Sequence, residues 1–207
     1  MPVNAHGPAL WLVRHAQPLI APGVCYGQLD VPADPGATLQ AALRLAPVLP
    51  RTGVARHSTL QRCELLALDL QGLEANLTAD ARLQEMDFGM WEGCAWNAID
   101  RAQIDAWSND LYLYAPGGGE SLSAMLQRVR AALLDSWQHD SQHGQRDVVW
   151  VTHAGVIRCV QWLLRYGQAQ PSAQDWSLPA PGFGQWYSWP WAGMGAALHS
   201  LSAQTQA

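Results

Sequence analysis

The chain predicts an α/β three-layer sandwich, with a mainly parallel central sheet and helices on both faces, and three observations carry that expectation. Two short apolar runs, "PALWLV" (8–13) and "DVVWVTH" (147–153), end in charged or polar residues, the pattern of central strands covered on both faces. Amphipathic helical segments alternate with these runs, and such alternation implies a parallel sheet. Ligands of such sheets bind beyond the carboxyl ends of the strands, where Arg14, His15 and His153 fall.

In chain order, "PALWLV" is the first strand. "DPGATLQAALRLAPVLP" (34–50) carries Leu39, Leu43 and Ala46 at helical spacing and is closed by prolines, so it predicts a helix across one sheet face. "TGVARHS" (52–58) reads as a turn and a short strand. "TLQRCELLALDLQG" (59–72) reads as a helix capped by Ser58 or Thr59 and closed on glycine. "ESLSAMLQRVRAALLDSWQHD" (120–140) places Leu122, Met125, Leu126, Val129, Ala132, Leu133 and Trp137 on one helical face, with Arg128 and Arg130 on the polar side. After the strand ending at His153, "AGVIRCVQWLLRYG" (154–167) is a glycine-closed helix. "GFGQWYSWPWAGMGAALHSL" (182–201) alternates aromatic and small residues like an edge strand interrupted by Pro190. No repeat or low-complexity tract divides the chain, so one domain over 1–207 is expected.

Composition narrows the function classes. A chain of 207 residues, 49% hydrophobic and 14% charged, can bury a sizeable core and enclose a substrate. A net charge of −5 without any arginine-rich stretch argues against a nucleic-acid surface. All twelve basic residues are arginine. Cys25, Cys63, Cys94 and Cys159 are scattered, without metal spacing or a disulfide framework, and read as reduced thiols; no metal and no cofactor are expected. The start, "MPVNAHGPALWLV", lacks a basic leader and no apolar run is long enough to span a membrane, so a soluble cytoplasmic protein is expected. The abundance of tryptophan leaves a homodimer open if many of these rings are exposed.

Four pieces carry chemistry in order: Arg14-His15 behind the first strand, Arg62 in a helix's first turn, "LQEMDFGMWEG" (83–93) and "VTHAG" (151–155). Singly, each has a bland reading as a hydrogen-bonded histidine, a solvated arginine or a surface glutamate. Together, over about residues 10–165, they resemble the histidine phosphatase, or phosphoglycerate mutase-like, superfamily. "GVCYGQLDVP" (23–32), "LQEMDFGMWEG" and "PGGGES" (116–121) look most like its alpha-ribazole phosphatase branch. The resemblance implies a phosphoglycerate mutase-like fold with His15 as nucleophile, Arg14, Arg62 and His153 on the phosphoryl oxygens, and Glu85 as the acid for the leaving oxygen. The partner it implies is a small phosphorylated metabolite such as alpha-ribazole 5'-phosphate. Gln17, Tyr26, Gly27 and Glu120 are candidates for substrate contact, and Glu92 matches a recurring family glutamate. His57 reads either as a phosphate neighbour or as a hydrogen-bonding residue, and Trp91 as pocket or core. His6, His139, His143 and His199 read as solvated.

The chemistry fits these roles. Uncatalysed phosphate monoester hydrolysis is so slow that enzymatic accelerations reach on the order of 10²¹, and the burden falls on positioning and charge neutralisation. A guanidinium fork binds two oxygens and stays protonated. Nearby arginines oppose protonation of His15 and so keep its lone pair available. The chain departs from the family where Ala16-Gln17-Pro18 follows the first histidine in place of glycine and Glu-Thr or Glu-Ser. It departs again at Ser58-Thr59, in place of Ser-Pro. A cofactor-dependent mutase, in a family that uses lysine as well as arginine, and a non-catalytic phosphate binder are the alternative readings. The absence of lysine and the "EMDFG" segment weigh against the mutase, and the intact His15, Glu85 and His153 against the binder.

Overall fold

The computed structural model describes residues 7–70 and 77–203; His6 and Gly72 lie outside them. Five strands form one sheet in the order β3-β2-β4-β1-β5. They are β1 (Ala9–Arg14), β2 (Val54–His57), β3 (Leu77–Ala79), β4 (Val148–Thr152) and β5 (Trp186–Pro190). Four run parallel, and β5 closes the β1 edge antiparallel.

Side-chain alternation divides the core between the faces of this sheet. Leu10, Leu12, Val148 and Trp150 face α4 (Leu122–Asp135), α5 (Ala154–Tyr166) and α6 (Gly195–Ala203). Ala9, Trp11, Val13, Val149 and Val151 face α1 (Pro35–Leu45) and α2 (Gln61–Asp69). This is the expected three-layer sandwich. The face of α4 is also as expected, with all seven named apolar residues buried and Trp137 carried on a π turn, Ser136–Asp140. Gly167 closes α5 at φ 64°.

Several details differ from the sequence reading. The buried face of α1 is Thr38, Ala41, Ala42 and Leu45, while Leu39, Leu43 and Ala46 are exposed. Asp34 caps the first turn through Ala37 N–H, Pro35 starts it, and small alanines bring the helix close to the sheet. Neither Ser58 nor Thr59 caps α2. Asp30 does so from a distant loop, accepting from Gln61 N–H at 2.8 Å, while Ser58 and Thr59 hydroxyls bond His153 and Gln84. Beyond Pro190 the chain leaves the sheet, because α6 packs Leu198 and Leu201 into the core. The segment between residues 94 and 120 contains α3 (Arg101–Asn109), capped by Asp100 through Ala102 N–H. Of the eleven tryptophans, only Trp96 is exposed. No helix among the described residues is long and apolar enough to cross a membrane.

Trp150 is fully buried at the centre of β4 and donates its indole N–H to Ser136 Oγ at 3.1 Å. Trp150→Ala is expected to cost about 3–5 kcal/mol, read as a lowered urea midpoint.

Candidate active site

Parallel pairing of β1 with β4 brings two histidines together. Arg14 lies opposite Thr152, and the next residue, His15, donates its backbone N–H to Thr152 O at 3.0 Å. His153 follows Thr152 directly, so the two rings sit with centroids 5.1 Å apart. Both are buried, at 2% and 0% exposure.

The His15 Nδ1 lies 2.7 Å from Ala16 O. A carbonyl only accepts, so Nδ1 carries the proton and Nε2 keeps its lone pair. Ala16 is buried and is not in the left-handed region, so its methyl group is accommodated where the family usually has glycine. Burial first, then the Arg62 and Arg14 charges, push His15 down to about 3; the Ala16 hydrogen bond opposes them. His153 is likewise held well below the ordinary histidine range by burial, with His15 and the arginines adding to it. Its Nε2 lies 2.8 Å from Ser58 Oγ and 3.4 Å from Cys63 Sγ.

Arg62, at the second position of α2, is fully buried and held by backbone carbonyls. It donates through Nη1 to Leu29 O at 2.9 Å and through Nη2 to Gly27 O, with its guanidinium 5.5 Å from the Tyr26 ring centroid. Arg14 donates to Pro181 O at 3.0 Å and lies 3.9 Å over the Phe183 ring. Burial lowers its affinity for its proton, while Tyr26 and Glu85 oppose that shift. Among the described residues neither guanidinium has a carboxylate within ion-pair distance, and the Nε–H of each lacks a hydrogen-bond acceptor. Two arginines without counter-ions beside neutral histidines suit a bound anion.

Glu85 lies at the amino end of α5. Its Oε2 accepts Gly155 N–H and its Oε1 accepts Met86 N–H, each at 3.0 Å. A Cβ at residue 155 would stand 2.1 Å from Glu85 Oε1, so glycine there lets the carboxylate approach the helix terminus. These residues share a cavity of about 470 Å³ with Tyr26, Arg158 and an apolar wall. No group of His, Cys, Asp and Glu among the described residues is arranged to hold a metal ion.

Arg14, His15, Arg62, Glu85, His153 and Tyr26 all line this cavity; Gln17, Gly27 and Glu120 do not. Gln17 is exposed and uses its carbonyl to accept Asp34 N–H. Gly27 is a close-packing position, where a Cβ would meet Met86 O at 1.8 Å. Glu120 precedes α4 and is gripped by Arg128 at 2.7 Å through both oxygens. Arg128 also donates to the carbonyls of Arg82, Gln84 and Glu85, so the pair fixes the segment that carries Glu85. Glu92 is spent on the backbone, accepting from Gln28, Leu29 and Phe88 N–H. His57 is buried against Ser58 O, away from the cavity. Trp91 is core, at 4% exposure, and bonds Gln103. His139, His143 and His199 are exposed, and all four cysteines are free thiols. The sequence reading missed Arg158, Phe88, Trp96, Trp107 and Trp176. Arg158 was signalled by a cation in the first, otherwise apolar turns of α5, five residues beyond His153; the aromatic residues had no periodic signal.

The family described as the histidine phosphatase superfamily (branch 1) matches residues 10–182. Phosphoglycerate mutase-like protein 4 of Arabidopsis thaliana is 33% identical over 72% of this chain, which spans 64% of that protein's length. A provisionally named phosphoserine phosphatase 2 of Hydrogenobacter thermophilus is 31% identical over 75% of this chain and 77% of its own. A mycobacterial glucosyl-3-phosphoglycerate phosphatase structure superposes with a TM-score of 0.70 at 27% identity, covering 88% of this chain and 89% of its own.

Burial of neutral His15 has a pH signature. Between about pH 6.5 and pH 3 the unfolded chain binds a proton at this residue that the folded chain does not, so stability falls as pH falls through that window and is fully present above it. His15→Gln is expected to flatten the slope of unfolding free energy between pH 6 and 4 by up to about 1.4 kcal/mol per pH unit, measured by urea titration. An unchanged slope would contradict a neutral, buried His15.

Proposed function

The chain belongs to the histidine phosphatase superfamily, and from that premise we propose that it is a phosphomonoesterase acting on a small phosphorylated metabolite through a phosphohistidine. The observation that carries the reading is the neutral His15, whose protonated Nδ1 donates to Ala16 O, sharing a cavity with two arginines that have no carboxylate within ion-pair distance among the described residues. In the proposed cycle the Nε2 lone pair attacks phosphorus in line with the ester oxygen. The P–N bond forms as the P–O bond breaks, and Glu85 in its acid form gives its proton to the departing alkoxide. Water then attacks phosphorus, Glu85 takes a proton from it, and the P–N bond breaks to release inorganic phosphate. Arg14, Arg62 and His153 hold the phosphoryl oxygens, and their fixed positions stabilise charge that spreads over those oxygens in the transition state.

Alpha-ribazole 5'-phosphate is the substrate favoured by "GVCYGQLDVP" and "LQEMDFGMWEG", whose residues Tyr26, Glu85 and Phe88 line the cavity. The name of the Arabidopsis relative favours a mutase. The chain has no lysine for holding a small, highly anionic sugar acid, and hydrolysis is the better account.

Turnover of alpha-ribazole 5'-phosphate, phosphoserine and 3-phosphoglycerate, followed as phosphate release in chelator-treated buffer, tests the reading; an inert wild type, or one unaffected by His15→Ala, would end it. Arg62→Ala is expected to lose about 10³-fold in kcat/KM, by comparison with other phosphate-binding arginines. Glu85→Gln should lose about 10²–10⁴-fold in kcat/KM on an alkyl phosphate, and far less in kcat/KM on p-nitrophenyl phosphate, whose leaving group needs no proton.

A further inference from the structure

The segment that joins α5 to β5 meets the end of β1, and its last residues are tied to Arg14 and His15. Pro181 O accepts from Arg14 Nη1 at 3.0 Å. Gly184 N–H donates to His15 O at 3.0 Å and to Arg14 O at 3.2 Å, and Gln185 O accepts Arg14 N–H at 2.9 Å. Gly184 has a φ of 66°, and a Cβ there would stand 2.7 Å from Ala41 Cβ, so only glycine lets the turn lie this close to α1. Farther back, Arg158 Nε and Gln161 Nε2 of α5 donate to Leu178 O and Pro179 O, each at 2.9 Å. Phe183 is thus held on both sides by backbone that the site itself anchors.

Its ring touches the two residues that its neighbours anchor. The Arg14 guanidinium carbon lies 3.9 Å over the ring centroid, and the His15 ring lies 5.5 Å away, tilted by 43°. Phe183 does not line the cavity, so its route to a bound ligand runs through these side chains. The need for such a support is specific to Arg14. Arg62 is gripped by two backbone carbonyls, Leu29 O and Gly27 O, whereas among the described residues the backbone offers the Arg14 side chain one, Pro181 O. An aromatic face attracts a cation yet carries no net charge that would cancel it. It can therefore hold a guanidinium still while leaving its charge for an anion.

We propose that Phe183 is a positioning residue for the reaction, its π face fixing the plane in which the Arg14 guanidinium meets the phosphoryl oxygens. The proposal rests on the phosphomonoesterase reading and adds to it a residue that touches no substrate atom. Before a ligand arrives the contact removes freedom from a long side chain, and a ligand then binds without the cost of ordering it.

Calorimetric titration of inorganic phosphate into the whole chain tests this, because binding needs no turnover. Phe183→Leu keeps apolar bulk without a π face and is expected to weaken phosphate binding by about 3–10-fold, the scale of ordering one flexible side chain. Phe183→Tyr keeps the π face and should bind phosphate as the wild type does. Pentafluorophenylalanine at position 183 keeps the shape of the ring but removes its negative face, and should lose as much as leucine does; it decides the matter where Phe183→Leu does not fold. Wild-type phosphate affinity in the fluorinated protein would overturn the proposal, as would a wild type that binds no phosphate. Affinity that falls with the fluorinated ring, in a protein that releases phosphate from no ester, would support the role of Phe183 while counting against the phosphomonoesterase reading.

Discussion

The hydrogen bond from His15 N–H to Thr152 O, which continues the β1–β4 ladder past its last paired residues, is the constraint on which the site depends. It holds the first residue after each strand beside the other, and so the two imidazoles. A slip of one residue between these strands would turn every side chain of β1 to the opposite face and exchange the two halves of the core. The split core, with Leu10 and Leu12 on one side and Trp11 and Val13 on the other, therefore locks the register that places His15. Packing of the sandwich and placement of the proposed nucleophile are one requirement.

The arginines obey a second constraint. A buried guanidinium is costly unless its donors are satisfied, yet a carboxylate partner would cancel the charge that a phosphate needs. Backbone carbonyls satisfy donors without contributing a negative charge. Gly27 and Leu29 do this for Arg62, and Pro181 for Arg14. The loop 24–30 is in turn held by Glu92 on the amides of Gln28 and Leu29, and by Asp30 on Gln61. The acidic residues around the site thus bind backbone or Arg128, while Arg14 and Arg62 keep their charge. The same charges help to keep His15 unprotonated, so groups suited to binding an anion also leave the imidazole able to attack one.

Residues whose surroundings are local in sequence were legible before the fold was known. β1, β4 and the buried face of α4 follow from uninterrupted apolar runs or a clean helical period, and Arg14, His15, Arg62, Glu85 and His153 stand in motifs at or near element ends. Features set by distant partners were not legible. Asp30 caps α2 from 31 positions away, so the nearby hydroxyls looked like the caps. Leu39 and Leu43 shared a helical period with one another, but small alanines decided which side of α1 could approach the sheet. Glu120 matched a recurring glutamate of the family, and only the position of Arg128 two turns into α4 shows that it holds the Glu85 segment instead. The apolar wall of the cavity joins Phe88, Trp96 and Trp107 from a short turn, a loop and α3, a grouping without any sequence period.

The most direct test of His15 as nucleophile is to mix wild-type protein with a turned-over phosphate ester, quench within milliseconds under alkaline conditions that preserve phosphoramidate bonds, and map the phosphorylated residue by mass spectrometry. The account predicts a phosphoryl group on His15, absent in His15→Ala and, with p-nitrophenyl phosphate as the ester, accumulating when water attack is slowed by Glu85→Gln. Full turnover with no such adduct, or an adduct on His153 in its place, would contradict it.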